Sequence, residues 1–222
     1  MRKHLATALV LLVACAAAAW PPAARGAELR VMVKDHKGKA VADAVVLAVP
    51  IDARNALHAH PPADAVDQVD KQFVPYVKVI FVGSTVHFPN SDNIRHQVYS
   101  FSPAKKFELP LYAGTDAPPV TFDKPGVVVL GCNIHDWMIG YVYVSETPFY
   151  AKTGPSGTAS LSDMPAGEYT VRIWHPSMDR AEETTSRRVT LAAEPGSEEW
   201  QLGLKPNIRV PRVSGAASPS YP

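Results

Sequence analysis

The sequence predicts an all-β protein: a Greek-key β-sandwich that is inserted in, or flanked by, a second small β-sandwich. Three observations predict it. Apolar residues alternate with polar ones in short runs along most of the chain, glycine and proline (13 and 21 residues) punctuate those runs, and no window carries the 3.6-residue period of an amphipathic helix.

The first 26 residues read as a signal peptide: Met-Arg-Lys-His, then an apolar stretch from Leu5 to Ala19 too short to span a bilayer comfortably, then small residues before Gly26. A rival processing route is open at Leu12-Val-Ala-Cys15, which is similar to a lipobox and would leave Cys15 as a lipid anchor. Either route predicts a periplasmic protein.

From residue 27 to 60 the predicted elements are the first strands of the flanking sandwich. Leu29, Val31 and Val33 alternate, a turn follows at Asp35-His-Lys-Gly38, and a second run from Val41 to Val49 closes an expected hairpin. Pro50 to Asp70, with His58 and His60, reads as a loop. Residues 68–146 are the expected main sandwich, with strands at Phe73–Val82, Thr85–Phe88, Gln97–Phe101, Pro119–Phe122, Gly126–Leu130 and Gly140–Val144. Phe101, Tyr141 and Tyr143 are expected as core or half-buried strand aromatics. Residues 147–206 supply the remaining strands of the flanking sandwich, beginning with an expected hairpin over Ala151–Ser160. Residues 207–222 have no apolar period and read as a disordered tail.

The chemistry concentrates in Cys132-Asn-Ile-His135-Asp-Trp-Met138, directly after the apolar run Val127–Leu130. Only two cysteines occur, so Cys132 has no disulfide partner if Cys15 is removed or lipidated. An unpaired cysteine in an exported chain asks for another reason. Thiolate, imidazole and thioether on one loop are soft and borderline ligands that favour copper over calcium, magnesium or manganese. A blue-copper centre takes two imidazoles, and the best second one is His96, after the turn-rich Pro-Asn-Ser-Asp-Asn cluster and before the Gln97–Tyr99 alternation. Zinc is the competing metal, because one Cys and two His with a water also bind it; Met138 favours copper.

With those residues in place, the segment from about Lys71 to Ser145 resembles the cupredoxins, and the Cys-x-x-His-x-x-Met spacing resembles the short ligand loop of amicyanin. The resemblance implies one type 1 copper ion held by His96, Cys132, His135 and Met138, with Met138 axial. It also implies electron exchange through His135, with Trp137 and Ile139 forming part of an apolar port. Phe-Pro-Asn, Ser-Pro-Ala-Lys and Gly-Cys-Asn-Ile-His-Asp resemble stretches in cupredoxin-like methylamine utilization proteins. Two positions depart from many cupredoxins: Gln97 stands where Asn follows the first ligand, and Ile134 where Pro precedes the second. The two chain ends resemble the carboxypeptidase-regulatory or transthyretin-like sandwich, a module grouped with carbohydrate-binding-like folds.

The expected function is a single-electron carrier between periplasmic redox proteins such as a dehydrogenase or a c-type cytochrome. Copper delivery or storage, and a carbohydrate-binding or structural module with a degenerate copper site, are the alternatives. No enzyme activity is expected, since nucleophile and phosphate-loop motifs are missing. With 22 Lys plus Arg against 21 Asp plus Glu there is no electrostatic footprint for nucleic acid, and after the N-terminus no apolar run approaches a membrane span. His36, His87 and His175 are expected to be structural or solvated, His58 and His60 solvated, and Asp92, Glu108 and Asp136 solvated loop carboxylates. Lys105 and Lys106 form a basic corner.

Overall fold

The computed structural model describes residues 26–52, 63–115, 117–192 and 194–206. The expected signal peptide, Cys15, His58, His60 and the tail from residue 207 lie outside the described residues. The described chain forms seventeen strands: β1 (Ala27–Asp35), β2 (Val45–Pro50), β3 (Ala63–Ala65), β4 (Asp67–Val69), β5 (Gln72–Val74), β6 (Val77–Phe81), β7 (Thr85–His87), β8 (Tyr99–Ser102) and β9 (Lys105–Glu108) in its first half. Then come β10 (Val120–Thr121), β11 (Gly126–Gly131), β12 (Ile139–Ser145), β13 (Tyr150–Lys152), β14 (Thr158–Met164), β15 (Gly167–Trp174), β16 (Arg187–Leu191) and β17 (Gly196–Leu202). A four-residue 3-10 helix, Glu182–Thr185, is the one helical element among the described residues.

Two cores divide these strands. The first lies between the sheet β14-β1-β17 and the sheet β13-β2-β15-β16, and it draws on both ends of the chain: Leu29, Val31 and Val33 of β1, with Trp200 of β17 beside them, meet Tyr169, Val171 and Ile173 of β15. The second lies between β6-β12-β11-β8-β9 and the small sheet β10-β7-β3, where Phe73, Phe88, Phe122, Leu130 and Val142 meet. Period-2 alternation sends successive side chains to opposite faces. It explains β1, whose alternate residues are buried. β2 is buried continuously because both its faces are covered: Val46 and Ala48 enter the first core, while Val45 and Leu47 pack on Val77 and Tyr143 of the second sandwich.

Both expected hairpins are corrected. A tight turn follows β1, with Lys34 bridging Ala40 and Val41 N–H donating to Val33 O at 3.0 Å, but the pairing stops there: β2 begins at Val45 and pairs with β13 and β15, while β1 pairs with β14 and β17. β13 and β14 likewise part into the two facing sheets. Each linker carries the chain across the core instead of doubling it back, because both flanking runs have an apolar face and the core has two sides to fill. Phe101 is a third correction: it is 72% exposed and packs on Tyr99, with ring centroids 5.1 Å apart. Its neighbours Ser100 and Ser102 point the other way across the pleat.

The fold brings a close backbone approach to bear on the site. Gly140 pairs with Leu130, and a Cβ built on it would stand 2.7 Å from the Cβ of the fully buried Phe73. Only glycine lets the β5 residue Phe73 sit flat on β12 beside the loop that follows β11. That packing seats the β4–β5 hairpin against β12.

Candidate metal centre

Two loops deliver the side chains expected to bind metal. Residues 132–138 form the turn between β11 and β12, closed by the Gly131–Ile139 pair and by Met138 N–H donating to His135 O at 2.9 Å. His96 lies on the chain leading into β8 and is clamped to Tyr112 by reciprocal backbone bonds of 3.0 Å. The loop before it is tied down by the buried Asn90, whose Nδ2 donates to Ile94 O at 2.8 Å and Tyr112 O at 2.9 Å, and whose Oδ1 accepts Asp92 N–H at 3.1 Å. Asn90 ties this loop together; Gln97 instead reaches outward to Glu108 at 2.5 Å.

His96, Cys132 and His135 converge with their ligand atoms within 4.8 Å of one another, and all three are buried. The Sγ of Cys132 lies 3.8 Å from His96 Nδ1 and 3.8 Å from His135 Nδ1. One thiol proton cannot serve two imidazoles at once, and 3.8 Å is long for either bond. A metal bound at about 2.3 Å to sulfur and about 2.05 Å to nitrogen holds its donors about 3.8 Å apart at a trigonal angle and about 3.6 Å apart at a tetrahedral one. The donor set and its spacing therefore fit a metal ion. Met138 is buried in the core that contains Cys132, and the two residues border one surface groove of about 360 Å³ with Tyr99, Phe101, Val129 and Ile139.

Electrostatics prepares the thiol for a cation. Burial pushes the Cys132 thiol up, but contact with His96 and the backbone N–H groups of Gln97, Ile134 and His135 outweigh it and leave the pKa below the ordinary thiol value. Burial pulls His96 down, and contacts with Cys132 and Asp92 more than reverse this. Asp92 corrects the expectation of a solvated carboxylate. Its Oδ2 is 2.7 Å from His96 Nε2, and it accepts N–H bonds from Asp70 at 2.7 Å and Lys71 at 2.9 Å. Against the upward push of burial, the Lys71, His96 and Asp70 bonds hold its carboxyl below the usual range.

No family profile and no curated protein matches the chain. Among solved structures, a Cu-containing nitrite reductase from Thermus scotoductus SA-01 is 29% identical over 44% of this chain and 27% of its own, with a TM-score of 0.37. The chain thus spans about a quarter of that protein. A purple cupredoxin from Nitrosopumilus maritimus is 26% identical over 37% of this chain and 99% of its own, with a TM-score of 0.33. An oxidized amicyanin variant is 21% identical over 46% and 99%, with a TM-score of 0.35. Likeness at this level leaves the reading of the site to its own geometry.

At the expected port the imidazole is largely covered. His135 is only 9% exposed, and the Trp137 ring lies beside it with centroids 5.1 Å apart. Trp137, Ile139 and Ile134 present the exposed apolar surface on this loop. Asp136 and Glu108 are exposed, as expected. Lys105 pairs with Asp123 at 3.2 Å, so the basic corner is partly neutralised. His87 is exposed, and His175 accepts Ser177 N–H at 3.1 Å within a turn, in keeping with structural roles. No helix among the described residues is long and apolar enough to cross a membrane.

Proposed function

We propose that this protein is a periplasmic type 1 copper protein that carries single electrons between larger redox proteins, a dehydrogenase or a c-type cytochrome being the chemical type of partner. One observation carries the reading: two buried imidazole Nδ1 atoms stand at equal distances of 3.8 Å from one buried cysteine sulfur. Copper bound there would supply a one-electron couple, since two imidazoles and a thiolate suit both of its oxidation states. The β11 and β12 strands and the Tyr112 clamp hold His96, Cys132 and His135 in place, which keeps rearrangement between oxidation states small. Met138 is the proposed axial ligand, because thioether sulfur suits copper and is a poor zinc ligand.

We assign residues 68–146 to the copper domain and residues 27–60 with 147–206 to a flanking sandwich that receives it as an insertion. The first core, drawn from both chain ends, supports this division. Residues 1–26 are the proposed export signal, with a lipid anchor at Cys15 as the variant route.

Partner docking is proposed at Trp137, Ile134 and Ile139, a small apolar surface of the kind that suits transient redox encounters. The Trp137 ring lies beside His135 and is 37% exposed. Replacing it with alanine is expected to slow electron exchange with a cytochrome about tenfold while leaving the visible spectrum in place, and equal stopped-flow rates for the two proteins would remove Trp137 from the route. The function itself is tested by adding Cu(II) to the purified chain and recording visible and electron paramagnetic resonance spectra. An intense thiolate-to-copper band that bleaches on reduction and returns on oxidation is the expected result. Copper bound without such a band would favour delivery or storage, and tight zinc binding with no copper preference would overturn the reading.

A further inference from the structure

Asp92 stands where the metal ligands meet a strained piece of backbone. Its Oδ2 lies 2.7 Å from His96 Nε2, on the ring edge opposite the Nδ1 that faces Cys132. The same carboxylate accepts the N–H groups of Asp70 and Lys71, the two central residues of the turn joining β4 to β5. Both adopt positive φ, 52° and 58°, a conformation such turns usually reserve for Asn and Gly. Strain of this kind persists only where surrounding contacts hold it, and here Asp92 supplies two of them. The side chain is 12% exposed, so little solvent screens it from the imidazole.

We propose that Asp92 is a positioning residue that fixes His96 as an Nδ1 donor and biases the site toward its oxidised ion. The carboxylate accepts a hydrogen bond from Nε2–H, which leaves the lone pair on Nδ1 directed at the metal position. This is the carboxylate–histidine arrangement that orients a ligand and raises its basicity. The charge argument has a definite sign. A thiolate and two neutral imidazoles around Cu(II) carry a net charge of about +1, and around Cu(I) about zero, so a nearby anion favours the oxidised form. The Asp70 and Lys71 N–H dipoles moderate that charge without cancelling it. The effect on potential rests on the copper reading above; the assignment of the His96 tautomer does not.

The test compares the unaltered chain with Asp92→Asn, which keeps an acceptor oxygen and the side-chain volume while removing the charge. Loss of an outer partner of a metal ligand changes affinity by about 10–100-fold. With Cu(II) weakened tenfold relative to Cu(I), the reduction potential is expected to rise by about 59 mV. An unchanged potential with copper fully bound and the spectrum retained would overturn the proposal. Should the variant fail to fold, long-range proton–nitrogen correlation on the unaltered, metal-free chain at alkaline pH decides: an Nε2-protonated His96 supports the role of Asp92, and an Nδ1-protonated one overturns it. If the unaltered chain binds no copper, the functional reading fails while this second measurement still judges Asp92.

Discussion

Replacing Cys132 with serine is expected to abolish the thiolate-to-copper band and to lower Cu(II) affinity by more than the about 10–100-fold that loss of an outer-shell partner costs. The two side chains have nearly the same shape, so Cys132→Ser tests chemistry more than packing. A thiolate is the metal-binding form of cysteine, and in this site contact with His96 and three backbone N–H groups already favours it against burial. A serine hydroxyl keeps its proton at neutral pH and is a hard donor with no low-lying charge transfer to copper. Its shorter Cβ–O bond also draws the donor away from His96 and His135, each 3.8 Å from the sulfur. The two imidazoles remain, so weak copper binding resembling a simple two-histidine site is expected. The measurements are the visible spectrum and a competition titration against a chelator of known affinity. A band of undiminished intensity in the variant would remove Cys132 from the ligand set.

The grouping of His96, Cys132 and His135 was legible in sequence where it is local. Cys132 and His135 lie in one loop at metal-ligand spacing, and the fold needs only one turn to bring them together. His96 required a judgement about strand ends, since its approach to Cys132 is a tertiary contact across 36 positions. Asp92 was misread because a carboxylate in Pro-Asn-Ser-Asp-Asn looks like ordinary turn chemistry, and nothing in its neighbours announces that Asp70 and Lys71 fold over it. Its position four residues before His96 was the available signal. In the fold, alternation identified the strands of β1, β12 and β15 but not their partners. Leu29–Val33 and Val41–Val49 look like a hairpin because a turn joins them, yet sheet membership is decided by which faces must be buried, and β2 has two. The same double burial explains Tyr143: its face would be solvent-exposed on a lone sandwich and is covered here by the flanking one.

Removing Arg172 is expected to destabilise the protein by about 2 kcal/mol at neutral pH, below the range for a fully buried ion pair because its side chain is a quarter exposed. Arg172 sits on β15 with its Nε 3.2 Å from Glu182 Oε1, and its guanidinium also pairs with Glu146. Glu182, on the 3-10 helix, accepts the Tyr143 hydroxyl on both oxygens, at 2.8 and 2.9 Å. The cluster therefore joins the flanking sandwich to β12, the strand that begins directly after Met138. Burial pushes the Glu182 carboxyl above its usual range, against the lowering effects of Tyr143 and Arg172. A group with a raised folded-state pKa contributes stability below its unfolded pKa, and that contribution is lost as pH rises through the folded value. In Arg172→Met the carboxylate loses its nearest cation, its folded pKa rises further, and the penalty for ionising it grows. The loss should therefore be largest at neutral pH and shrink on mild acidification, as Glu182 takes up a proton and keeps its bond to Tyr143. Denaturant midpoints at the two pH values measure the difference, and Glu182→Gln added to Arg172→Met should recover most of the neutral-pH loss. A deficit of equal size at both pH values, unrelieved by the second substitution, would mean that Arg172 acts through packing of its stem and not through its charge.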